Sequence, residues 1–106
     1  MSPMMLREHT LALLEEPLLG EQDLDAKVRA LLEAEYLRRL RRYRHLDQVL
    51  TEKYAMNFES FVDRRMVKKE GYTWDVEKDA IDWETAIDGI STMKRKLREL
   101  RETARV

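Results

Sequence analysis

A chain of 106 residues with net charge -1 is the size of one domain, with a modest hydrophobic core in which about two-thirds of the unfolded surface is buried. Charged residues make up 39%, against roughly 25% in an average globular protein, while three glycines and two prolines are few, which is the profile of long solvated helices. The near-zero charge gives no global field for nucleic acid or an anionic membrane, and the lack of cysteine excludes disulfides, thiolate metal sites and cysteine nucleophiles.

Residues 1–20 carry Leu6, Leu11, Leu13, Leu14, Leu18 and Leu19 and are interrupted by Pro17. A proline cannot donate inside a helix, so the expectation is a short helix ending near Glu16 and a turn through Gly20. So many leucines must pack on the rest of the chain or on another protein. Asp23 or Asp25 then caps a long helix, residues 23–53. Its apolar stripe is Leu24, Val28, Leu31, Leu32, Tyr36, Leu40, Tyr43, Leu46, Val49, Leu50 and Tyr54, recurring at three and four. At ~1.5 Å per residue this makes a rod of ~45 Å, rarely wrapped by one small chain.

Asn57 is a helix-start signal, with Met56 and Phe61 placed to close as a hydrophobic staple. The helix it opens, 57–69, is expected to stop at Gly71. Thr73 or Asp75 starts the last helix, 74–104, whose stripe is Val76, Ala80, Trp83, Ile87, Ile90, Met93, Leu97, Leu100 and Ala104. Ala80, Ala86 and Gly89 are small enough to admit bulky neighbours. The fold expected is all-α: a long antiparallel helical hairpin with a short helix at its tip and a short N-terminal helix. Tyr54, Phe58, Phe61, Tyr72, Trp74 and Trp83 would form a small core at the tip. Two helices leave the outer parts of their stripes wet, so dimerisation into a four-helix-bundle-like core is expected.

Both long helices begin acidic and turn basic. Antiparallel placement would bring Arg38, Arg39, Arg41, Arg42 and Arg44 near the acids from Asp82 to Asp88, and the acidic start of the first helix near the basic end of the second, joining opposite signs. The arginine run wraps more than one helical face, which points to structural salt bridges or to ones that orient a partner; contact with RNA or DNA is the alternative. Asp75, Asp79 and Asp82 share a helix face and could hold Mg²⁺ in a nucleotide hydrolase, but the second acidic pair such a site needs is missing, because Glu33 and Glu35 point to different faces. His9 and His45 have no nucleophile or acid at a recognisable spacing. Six methionines suit core gap-filling or an adaptable surface. No catalytic residue, metal or cofactor is assigned. No apolar run approaches the ~20 residues that cross a bilayer, and the start lacks a signal-peptide pattern, so a cytoplasmic protein without membrane contact is expected.

The segment Glu52-Lys53-Tyr54-Ala55-Met56-Asn57-Phe58-Glu59-Ser60-Phe61, followed by Gly71-Tyr72-Thr73-Trp74 and the acidic run to Trp83-Glu84, resembles small prokaryotic helical proteins. In them a Lys-Tyr-Gly-Met-x-x-x-x-Phe turn joins two helices before an aromatic, acidic segment. Many look like antitoxin components of toxin-antitoxin pairs. Lys53, Tyr54, Met56 and Phe61 fit the turn; Trp74, Glu77, Ala80, Trp83 and Glu84 fit the following helix start. Ala55 departs from the usual glycine, so the backbone there should avoid positive φ or carry a small strain. The resemblance implies no catalytic residues and a partner, a small ribonuclease-type toxin. On this reading the protein is not an enzyme; Leu11, Leu14, Leu18 and Leu19 are candidate apolar anchors, and Arg38, Arg41, Arg42 and Arg44 orient the partner.

Overall fold

The computed structural model describes residues 6–16 and 23–103, and all regular structure in them is helical. Five helices follow in order: α1 Glu8–Leu14, α2 Leu24–Tyr54, α3 Phe58–Asp63, α4 Met66–Lys69 and α5 Trp74–Thr103. The turn expected through Pro17 and Gly20, together with Leu18 and Leu19, lies outside the described residues. The chain divides into two compact units, Met1–Ala34 and Glu35–Val106, with the division inside α2.

In the first unit, Asp23 starts α2 as the sequence indicates, its carboxylate accepting from the Ala26 amide at 2.8 Å. Helix α1 has no buried residue: Leu11 and Leu14 are half-buried and Leu6 and Leu13 exposed.

The second unit is a helical hairpin. Helices α2 and α5 run antiparallel: Tyr43 of α2 lies over Gly89, Asp47 bonds Trp83, and Lys53 and Tyr54 bond Asp79, so partner numbers fall as α2 advances. Two cores result. Leu40, Met93 and Leu97 form the shaft core, flanked by Tyr36, Leu37, Tyr43 and Ile90. Leu50, Phe61 and Trp83 form the tip core, flanked among others by Tyr54, Met56, Phe58, Met66 and Val67. Met56, Met66 and Met93 thus fill core space. The aromatic cluster forms around Tyr54, Phe58, Phe61 and Trp83, whereas Tyr72 and Trp74 stay exposed, Trp74 by 70%.

Each turn at the tip is a left-handed helix cap. Ala55 takes φ 55 and lets the Met56 amide donate back to the Thr51 carbonyl, the six-to-one bond of a Schellman end. The strain foreseen for a non-glycine residue is therefore present, about 1–2 kcal/mol at such a position. Asn57 then caps α3 by accepting from the Ser60 amide at 2.8 Å. The single helix expected over 57–69 is instead two, because Arg65 adopts φ 51, ψ 49 and ends α3. That bend lets α4 fold back so that Met66 and Val67 reach the same core as Phe61. Gly71, at φ 75, ends α4 with the same bonding pattern, and the Thr73 hydroxyl accepts from the Val76 amide to open α5.

Candidate functional site

The polar centre of the hairpin lies where α2 meets the start of α5. The Trp83 ring is wholly buried, and its indole N–H donates to Asp47 Oδ1 at 2.8 Å, which also accepts from the Thr51 hydroxyl at 3.4 Å. Asp79 accepts from Lys53 Nζ at 2.5 Å and from the Tyr54 hydroxyl at 2.6 Å. Burial opposes the charge on Asp79, but these donors outweigh it and hold the carboxyl below its ordinary value. Burial first, and the Asp79 carboxylate second, push the Tyr54 phenol well above its ordinary value. The pair is a clamp across the hairpin, with both partners held in states that do not exchange protons near neutrality.

Two of the three acids of the α5 row are also engaged. Asp79 is tied to α2, and Asp82 accepts from Lys78 at 2.5 Å on its own helix. No group of three or more His, Asp or Glu side chains able to hold a metal ion occurs among the described residues. His9 and His45 are both exposed.

The arginine run is placed differently from the charge-matching expectation. Arg38 and Arg39 both turn to Glu35 on their own helix, at 2.7 and 2.6 Å, and those hydrogen bonds pull the Glu35 carboxyl down to about 2. With Tyr43 over Gly89, only Arg44 comes level with an acid of the expected run, Asp88; Arg38 to Arg42 lie level with residues 90–94, which include Lys94. Among the described residues no arginine of the run pairs with an acid of α5, and the opposite-sign pair that does cross the hairpin is Lys53–Asp79. Arg42 instead lies 5.5 Å from the centroid of the Tyr43 ring, and Arg41 and Arg44 are exposed without an ion pair among the described residues.

Of the candidate partner-binding residues, the structure brings Arg38, Arg41, Arg42 and Arg44 onto the shaft of the second unit and leaves Leu11 and Leu14 in α1 of the first. Leu24, Val28, Leu31 and Leu32, at the outer end of the α2 stripe, are exposed, as expected for the part of a stripe that two helices leave wet. What the sequence reading missed is an apolar recess of about 420 Å³ at the tip, whose walls include Phe58, Val62, Met66 and Tyr72 with Arg65 and Lys68. The recess depends on the bend at Arg65, a conformation that a non-glycine residue does not advertise.

The chain matches no family model, no curated protein and no solved structure. No helix among the described residues is long and apolar enough to cross a membrane.

Proposed function

We propose that the protein is a non-enzymatic, protein-binding helical module that works as a homodimer in the cytoplasm. As an antitoxin-like component it would neutralise a small ribonuclease-type toxin by covering its active surface. The observation that carries this reading is the row Leu24, Val28, Leu31 and Leu32, spaced i, i+4, i+7 and i+8 along one face of α2, with all four side chains exposed. Burying such a side chain completely contributes about 1.5–3 kcal/mol, and at 37–47% exposure somewhat under half of that remains to each, so the row of four offers about 2–5 kcal/mol towards association. Leu6 and Leu13 add exposed apolar surface in the same unit. In this reading Leu11 and Leu14, with Leu18 and Leu19 outside the described residues, complete the apolar anchor, and Arg38, Arg41, Arg42 and Arg44 orient the partner. The carboxylates on which a hydrolase would rely, Asp79 and Asp82, are engaged by Lys53, Tyr54 and Lys78, which favours binding over catalysis.

The test is capture of partners from the source cells on the tagged chain at physiological salt, with mass spectrometry and light scattering. A small basic protein held at fixed ratio by a dimer, and lost with Leu31→Glu, is the expected result. Recovery of a bare monomer, or metal-dependent turnover of nucleoside triphosphates by the pure chain, would contradict it.

A further inference from the structure

The pairing of α2 with α5 assembles a cationic surface that neither helix has alone. Residues 36–46 and 89–98 hold nine lysines and arginines and no aspartate or glutamate, in a chain whose net charge is -1. These are the two segments that pack on each other through Leu40, Met93 and Leu97. Arg38 and Arg39 share the single charge of Glu35, whereas Arg41, Arg44, Lys94 and Arg98 are exposed and make no ion pair among the described residues.

Helical geometry places these four on one side of the hairpin. Arg41, Lys94 and Arg98 each directly follow a buried residue (Leu40, Met93 and Leu97), so each is turned by the same ~100° from the core direction. Two antiparallel helices exchange under a two-fold rotation normal to their common plane, and that rotation keeps each flank on its own broad face. The three therefore emerge on the same face, joined by Arg44, one turn beyond Arg41.

We propose that this face binds the phosphodiester backbone of double-helical nucleic acid without reading its sequence. The choice of partner follows from what surrounds the cations. No large apolar side chain is exposed in 36–46 or 89–98, although such side chains are exposed elsewhere among the described residues. A protein interface centres on buried apolar side chains, and a single strand is held by aromatic side chains that stack on its bases. Here Tyr36 and Tyr43 are half-buried against the shaft core, leaving a face of charge on rigid helices, which suits phosphates.

The test is a fluorescence-anisotropy titration of the full chain with a duplex of about 20 base pairs, DNA and RNA in separate arms, over a range of salt. Four phosphate contacts give a slope of about -3.6 in log K against log salt, an affinity loss of about a hundredfold between about 50 and about 200 mM. Arg41→Glu with Lys94→Glu should weaken binding at least about tenfold at low salt and flatten the slope. Lys68→Glu with Lys69→Glu, the same charge change on α4, should shift it less than about twofold. If the reversed pair loses helicity by circular dichroism, Arg41→Gln with Lys94→Gln replaces it. Binding of either duplex with this pattern supports the proposal and names the nucleic acid. No binding at low salt, equal losses from both variants, tighter binding of an unstructured single strand, or equal binding of polyglutamate would overturn it.

Discussion

The tip and the shaft of the hairpin are built from the same two helices and held by different means. At the tip, Trp83, Phe61 and Leu50 are buried under four further aromatic or methionine side chains, and two aspartates fasten the helices across the gap. In the shaft, a thin apolar seam of Leu40, Met93 and Leu97 holds together two segments of like charge. Tip geometry thus fixes the pairing that the shaft must accept. Exposed ion pairs contribute only about 0–1 kcal/mol each, too little to shift helices against a buried tryptophan worth several times that.

The comparison breaks most completely with Trp83→Ala, which should cost about 3–5 kcal/mol in urea denaturation and collapse the tip before the shaft in residue-resolved hydrogen exchange. A smaller change, Asp47→Ala, strands the buried indole N–H and should cost about 1–3 kcal/mol. In the shaft, Gly89→Ala would put its Cβ 2.5 Å from Tyr43 Cε2, so a substitution that ordinarily favours helix should instead lower stability, by about 1–3 kcal/mol. The same substitution made with Tyr43→Ala should regain the usual gain of about 1 kcal/mol, and a thermal melt of the double variant checks the sign. Ala55→Gly removes the left-handed strain at the end of α2 and should raise stability by about 0.5–1 kcal/mol.

The smallest effect is electrostatic. Glu35 titrates at about 2 when folded against 4.5 for its ordinary carboxyl, so its contribution is present above about 4.5 and is lost as the pH falls towards about 2. Asp79, also held low, adds loss in the same acidic direction. The urea midpoint should therefore decline through that window, and Glu35→Gln should flatten part of the decline.

Much of the fold is legible in the residues because its signals are local. Asp23, Asn57 and Thr73 each have the side-chain oxygen that a helix start needs, and Gly71 has the freedom that a helix end needs, so all four turned up where the sequence pointed. The break at Arg65 was hidden, since an arginine in left-handed geometry is chosen by the burial of Met66 and Val67, not by its own preference. The antiparallel pairing of α2 with α5 was legible, but the placing of the arginine run against Asp82 to Asp88 was misjudged for a related reason: charges are conspicuous in a sequence and weak in a fold, whereas the fit of Tyr43 over Gly89 and of Trp83 against Asp47 is strong and inconspicuous. The exposed leucines of α2 look, by spacing alone, the same as the buried ones further along.

The most direct test of this account is the distance between spin labels on Arg41→Cys and Lys94→Cys, in a chain that has no cysteine of its own. The Tyr43–Gly89 pairing puts these positions about 5 Å apart along the axis, and Arg41 about 13 Å along the axis from Asp82. A shorter distance for the 41/94 pair than for labels on Arg41→Cys and Asp82→Cys is the result expected. The reverse order would mean that opposite charges, and not the buried tip, set how the helices pair.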